Sequence, residues 1–235
     1  VEKKSIDGIM LTKYYCAYIE DYGIAVLSDL HIGYEEVMAQ KGLLLPKLQK
    51  LRILKILETI FNNLKPEKIL IDGDFKHEFS RNMRQEWNEI IEIINYIKER
   101  AELIVVRGNH DNYLKNILLK YSIPLHKYIK IGKYVFAHGD KKIEYDGFLI
   151  MGHEHPSIKI RDFSGGIITI PSYIFNDKIL VLPSPSLYSS GSDILNGEIL
   201  SPLLIDEKID DFQAIGIDDR IGLMELGRVG DIRSL

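Results

Sequence analysis

Two rhythms of apolar residues divide this chain. In the first stretch, "KYYCAYI" and "GIAVLSD" are short apolar runs on either side of Glu20-Asp21-Tyr22-Gly23, a hairpin pattern. From Pro46 the period lengthens. Leu48, Leu51, Leu54, Leu57, Ile60, Phe61 and Leu64 recur every three or four residues, with Lys47, Lys50, Lys55 and Glu58 between them. That spacing predicts an amphipathic helix opened by Pro46. "KILIDGD" is then a β-branched run ending in Gly-Asp. Met83, Trp87, Ile90, Ile91, Ile94 and Ile97 mark a second helix, and "ELIVVRGNHD" a further strand. The first half therefore reads β-α-β-α-β, with parallel strands and right-handed crossovers.

The second half changes character. "YIKIGKYVFAHGD", "GFLIMGHEHP", "IKIRDF", "GGIITIPSYIF", "KILVLPSPS" and "SPLLIDE" are short apolar runs separated by Gly, Pro and Asp. They predict a second, largely antiparallel sheet. Two mixed sheets with helices outside them make a four-layer α-β-β-α sandwich of the α/β class. No repeat or linker splits residues 1–235, so one domain is expected, with a loosely packed Gly-rich segment over 216–235.

Composition narrows the picture only slightly. The 235 residues suffice for one sizeable core, and 46% hydrophobic with 27% charged residues is ordinary globular usage. A net charge of -4 does not announce a nucleic-acid binder, although a local basic patch stays open. Cys16 stands alone, which excludes an intramolecular disulfide, fits a reducing interior and suits a small buried apolar role. No apolar run is long enough for a membrane span and no secretory signal stands out, so a cytoplasmic location is expected. The start at Val1 fits a processed end or an alternative initiation site equally.

The chemistry lies where the apolar runs stop. The strand exits carry Asp29 and His31, then Asp74, then Asn109, His110 and Asp111, then His138, then His153 and His155. In open α/β sheets functional groups collect beyond the carboxyl ends of strands. Asp29 and His31 share a face if side chains alternate, as do His153 and His155. Oxygen and imidazole donors without thiolates suit Mn²⁺, Fe or Zn²⁺. Asp29, His31, Asp74, Asn109, His138, His153 and His155 are too many for one ion. A bridging carboxylate such as Asp74 would let two ions clamp a phosphate. Gly73, Gly108, Gly139 and Gly152 adjoin these positions and permit close backbone approach.

"DLH", "GD", "GNHD", "AHGD" and "GHEH" appear in this order, each after an apolar run. Together they resemble the five blocks of calcineurin-like metallophosphoesterases. The resemblance implies one metal on Asp29, His31, Asp74 and His155, and another on Asp74, Asn109, His138 and His153. It implies two divalent ions, Mn²⁺ first, with Fe, Zn²⁺ or Ni²⁺ as alternatives. His110 would face the scissile phosphate and Asp111 would orient it. "SDLHIGYEE", "GLLLPKLQ" and "GDFKHEF" further resemble archaeal phosphoesterases related to the SbcD repair nucleases, and bacterial DNA ligase-associated metallophosphoesterases. His77 stands three after Asp74, as in the Gly-Asp-x-x-His block of those nucleases, where it helps place the DNA backbone. The chain has no room for their DNA-capping domain, and the expectation is against processive exonuclease action.

The expected activity is therefore phosphodiester hydrolysis by a metal-bound hydroxide, in line, by a Mn²⁺-dependent DNA endonuclease of repair. A small-molecule phosphodiesterase, for instance on 2′,3′-cyclic nucleotides, is the alternative, and a non-catalytic scaffold ranks below both. Arg107 is a candidate phosphate contact or a structural ion pair. Lys76 reads as a solvated lysine before a phosphate contact. His126 reads as structural, Glu154 as pointing away from the metals, and Tyr34, Glu35 and Glu36 as helix-start residues. DNA is the expected partner; a helicase or ligase follows from the resemblance alone, and a homodimer is compatible with the sequence.

Overall fold

A computed structural model describes residues 3–81, 83–161, 165–189 and 191–234. The first sheet runs in chain order: β1 (Lys3–Ile6), β2 (Ile9–Thr12), β3 (Ala17–Ile19), β4 (Ile24–Leu27), β5 (Lys68–Asp72), β6 (Glu102–Val106) and β7 (Leu125–His126). β1 to β4 are antiparallel, and β4 to β7 are parallel. The expected hairpin is β3–β4, turning through Glu20–Tyr22. Between the parallel strands lie α1 (Tyr34–Gln40), α2 (Gln49–Leu64), α3 (Arg84–Lys98) and α4 (Leu114–Leu118).

The second sheet contains β8 (Ile129–Ile131), β9 (Tyr134–Phe136), β10 (Phe148–Met151), β11 (Pro156–Arg161), β12 (Ile167–Phe175), β13 (Ile179–Val181), β14 (Ser192–Asp193), β15 (Gln213–Asp218) and β16 (Gly222–Arg228). Its order is β14-β11-β12-β13-β10-β9-β8, with β15 and β16 continuing from β12. It is mixed: β10 runs parallel to both β9 and β13, while β12 is antiparallel to β11, β13 and β15.

Alternation along the strands makes the layers. Ala25, Leu27, Ile69, Ile71, Leu103 and Val105 face α2 and α3, meeting Ile53, Leu57, Ile60, Ile90 and Ile94. Their neighbours Ile24, Val26, Leu70, Ile104 and Val106 face the second sheet and meet Phe136, Ile150, Tyr173 and Leu180. The outer face of the second sheet is covered by Leu204, Ile209, Phe212 and Val229, carried on turns and the five-residue α5 (Val229–Arg233). The α/β sandwich of two mixed sheets is thus present, and its fourth layer is thin.

Three local expectations fail. The helix expected from Pro46 opens at Gln49, because the Glu35 carboxylate accepts the N–H groups of Leu48 and Gln49 there. Its buried face starts with Gln49 and Ile53, while Leu48 and Leu51 are exposed. "SPLLIDE" forms turns rather than a strand, with Leu204 as its one fully buried apolar residue. The Gly-rich end from Gly216 is no loose segment: β15 and β16 pair as a hairpin and bury Ile217 and Leu223 between the sheets. The last two residues of "IKIRDF", Asp162 and Phe163, lie outside the described residues. Among the described residues no helix is long and apolar enough to cross a membrane.

Candidate metal centre

The parallel strands β4, β5, β6, β9 and β10 all end at one edge of the sandwich, and the motif residues follow them directly. Beyond the sheet the exits of β4 and β5 stay zipped together. Asp29 N donates to Gly73 O, His31 N to Asp74 O, Ile32 N to Phe75 O, and His77 N to Ile32 O. The second sheet is tied in by His153 N, which donates to Asp29 Oδ2 at 3.0 Å.

Strand alternation is not what brings the Asp-x-His and His-x-His pairs together. β4 ends at Leu27 and β10 at Met151, before either pair. Asp29, His31, Asp74, His153 and His155 instead take left-handed backbone, with φ of 59°, 46°, 50°, 63° and 47°. Such conformations cost a non-glycine residue about 1–3 kcal/mol each and persist only where the surroundings enforce them. Five of the nine non-glycine residues with positive φ among those described lie in this one cluster.

Three donor groups result, one of them made of His31, His77 and His110. In the first, Asp29, His31 and His155 converge: His155 Nε2 is 2.9 Å from Asp29 Oδ1 and 3.3 Å from His31 Nε2. In the second, Asp74, His138 and His153 converge, with His138 Nε2 3.3 Å from Asp74 Oδ2. Asn109 Oδ1 joins it 3.3 Å from His138 Nε2. His110 Nε2 stands 3.8 Å from Asp74 Oδ2.

The residues fit divalent ions. Asp29 Oδ1 is fully buried and faces His155 Nε2 at 2.9 Å without accepting a hydrogen bond of good geometry. His138 Nδ1 donates to Asp72 O at 2.9 Å, and His155 Nδ1 is 2.8 Å from Ser189 Oγ. Those contacts leave both Nε2 atoms facing the cluster, the arrangement that orients imidazole ligands elsewhere. Burial would push the Asp29 carboxyl up, but His155 and then His138 outweigh it and hold it at about 2. Asp74 is held at about 2 in the same way, chiefly by His138. Both therefore offer ionised oxygens at neutral pH. Burial lowers His31 and His153, keeping their lone pairs free.

Around this core the structure revises several expectations. Lys76 is neither solvated nor free to meet a phosphate. It is fully buried, and its Nζ pairs with Glu86 at 3.2 Å. Asp111 does not orient the His110 ring. Its oxygens accept the N–H groups of Gly108 and Lys76, while His110 Nδ1 meets the His77 carbonyl. Asp111 thus fixes the backbone of two exits. His77 stacks on His110, ring centroids 5.3 Å apart, and its Nδ1 is 3.4 Å from His31 Nδ1. Burial, and next the charge of His110, depress His77 to about 4. Arg107 Nη2 donates to Asn112 Oδ1 at 2.7 Å. Glu154 is buried away from the cluster and accepts from Leu200 and Ser201.

Sequence reasoning missed the residues that hold the exits in place. Glu86 Oε1 accepts the N–H groups of both His77 and Glu78. Glu36 accepts the N–H groups of Gln85 and Glu86 at the start of α3. Glutamates next to a Gly-Tyr helix start are a weak cue. Partners about fifty residues away left no periodic trace.

Gly108 is required by approach. A Cβ there would lie 2.1 Å from Asp74 Oδ1 and 2.4 Å from Asp74 N, so backbone would have to move. Gly108→Ala is expected to lower turnover about 100-fold, the cost of a displacement near 1 Å at a reacting centre. Steady-state kinetics beside an unchanged far-ultraviolet dichroism spectrum would check it.

Residues 22–210 match the family model for calcineurin-like phosphoesterases. The chain belongs to that family. By membership it is a metal-dependent phosphoesterase, a hydrolase of phosphate esters. Among solved structures it is similar to the Pseudomonas putida nuclease MPE, at 17% identity and a TM-score of 0.67, covering 91% of this chain and 95% of that one. It also aligns with Yfce, a phosphoesterase from E. coli, at 16% identity, TM-score 0.40, and 88% and 93% coverage. No curated protein matches it significantly.

Proposed function

We propose that this phosphoesterase is a two-metal phosphodiesterase, and specifically a Mn²⁺-dependent DNA endonuclease of repair, akin to the SbcD-related and ligase-associated enzymes. The observation that carries the reading is two adjacent donor groups, Asp29 with His31 and His155 and Asp74 with His138 and His153, with His138 Nδ1 3.9 Å from Asp29 Oδ1 and His110 Nε2 3.8 Å from Asp74 Oδ2. Asp29, His31, Asp74 and His155 would hold one ion; Asp74, Asn109, His138 and His153 the other. Such ions supply Lewis acidity and an activated water at neutral pH. The nitrogen and oxygen donors, without thiolates, admit Mn²⁺, Fe, Zn²⁺ or Ni²⁺, and the family resemblance puts Mn²⁺ first.

His110 is the proton carrier in this reading. Its Nδ1 is engaged by the His77 carbonyl, which leaves Nε2 towards the cluster. Its own N–H donates to Asp74 Oδ1 at 2.9 Å, so carrier and ligand keep one geometry. From there Nε2 can protonate a leaving oxygen. His77 favours a diester: stacked on His110, it sets a second imidazole where the non-reacting ester arm would pass. The fold likeness to a nuclease agrees with that substrate class. A cytoplasmic location and a helicase or ligase partner belong to the same proposal.

The test starts from metal-stripped protein with Mn²⁺ restored and an end-labelled single-stranded oligonucleotide. Internal cleavage is expected, reduced about 10²–10⁴-fold in His110→Ala and weakened in His77→Ala. Hydrolysis of a 2′,3′-cyclic nucleotide with the oligonucleotide intact would overturn the nuclease reading in favour of a small-molecule phosphodiesterase. Failure to bind Mn²⁺ would favour the scaffold.

A further inference from the structure

A cleft adjoins the metal centre through His138. It encloses about 350 Å³, and His138 and Gly108 form its inner wall. Its outer wall carries Arg107, Lys127, Lys141 and Lys142, against the single carboxylate of Asp140. In a chain of net charge -4 this is a concentrated positive surface. Another cleft, of about 740 Å³, has the opposite character, lined by Asp7, Asp177, Asp206, Glu207 and Asp211 with one lysine. A phosphate would be drawn to the first and repelled by the second.

We propose that the cleft between Arg107, Lys127, Tyr128 and Lys142 binds the nucleotide next to the scissile phosphate. Its cations take the flanking phosphate and Tyr128 stacks on the base. The proposal rests on the nuclease reading and extends it to the substrate class, a polynucleotide strand rather than a small diester.

The side chains are free to do this. Lys127 is exposed and has no ion pair among the described residues. Lys142 pairs with Asp206 at 3.2 Å across solvent, an exposed pair that a phosphate can displace. Arg107 is aimed by its hydrogen bond to Asn112, which leaves other guanidinium N–H groups for a ligand. Tyr128 shows 49% of its surface, a ring face of the kind on which unpaired bases stack. A diester with one phosphate would occupy the metal centre and leave this cleft empty. A strand would fill both.

The test compares the Lys127→Ala/Lys142→Ala double variant and Tyr128→Ala with wild type, on a single-stranded oligonucleotide and on bis(p-nitrophenyl) phosphate. The ratio of kcat/KM for the oligonucleotide to that for the small diester is expected to fall about tenfold in each variant. In the double variant, log KM for the oligonucleotide should depend less steeply on log salt, by about 0.7 for each phosphate no longer neutralised. An unchanged ratio and slope, or equal losses on both substrates, would overturn the subsite while leaving the nuclease reading in place. Wild type that hydrolyses the small diester but never the oligonucleotide would overturn the nuclease reading and the subsite with it.

Discussion

Asp74→Ala is expected to lower turnover by about 10³-fold or more and to release bound metal. Asp74 touches both a histidine of its donor group and the proposed proton carrier. Its Oδ2 lies 3.3 Å from His138 Nε2 and 3.8 Å from His110 Nε2, and its Oδ1 accepts the His110 N–H at 2.9 Å. Truncation removes an ionised oxygen ligand and frees the backbone of the proton carrier together. It also relieves nothing, since alanine at φ 50° is no more comfortable than aspartate. Metal content by plasma mass spectrometry, measured beside kcat, separates the two losses. A variant that keeps its full metal complement and more than a tenth of wild-type turnover would refute the placing of Asp74 between two ions.

Lys76→Met is expected to destabilise the fold by about 3–5 kcal/mol, because it leaves the Glu86 carboxylate buried without its partner. Lys76 and Glu86 are 0% and 1% exposed, so water cannot take the lysine's place. Stability of a domain this size is a small difference between large terms, and a loss of that size is a large share of it. The damage should reach the centre, since Glu86 also accepts the N–H groups of His77 and Glu78. Gly33 packs so closely on Glu86 that any Cβ would lie 2.6 Å from the glutamate's own, so the side chain has no room to swing away. Urea unfolding gives the energy. Adding Glu86→Gln to Lys76→Met should restore part of it by removing the unpaired charge. A double variant no more stable than the single one would show that the ion pair is not the source.

What the sequence determined by itself were the features that depend on residues close together in the chain. Run length and period marked β4, β5, β6 and the helices α2 and α3 between them. The polar residues at the run ends named Asp29, His31, Asp74, Asn109, His138, His153 and His155, because a strand exit is written in a few consecutive letters. Their order resembled a family pattern, and the family itself is shown by the match over residues 22–210.

Tertiary structure decided the rest, wherever one group's role depended on another far along the chain. The Asp-x-His and His-x-His pairs converge through left-handed backbone, which hydrogen bonds between separate strand exits enforce and no periodicity encodes. Leu48 and Leu51 follow helical spacing yet stay exposed, because Glu35 sets where α2 begins and Gln49 takes the buried place. Lys76 looks solvated in the sequence and is fully buried, because its partner Glu86 sits on the next helix. The Gly-rich end from Gly216 pairs onto β12 and enters the core between the sheets. Burial and electrostatic pairing are properties of the assembled layers, and a linear run of residues carries them only where both partners are near neighbours.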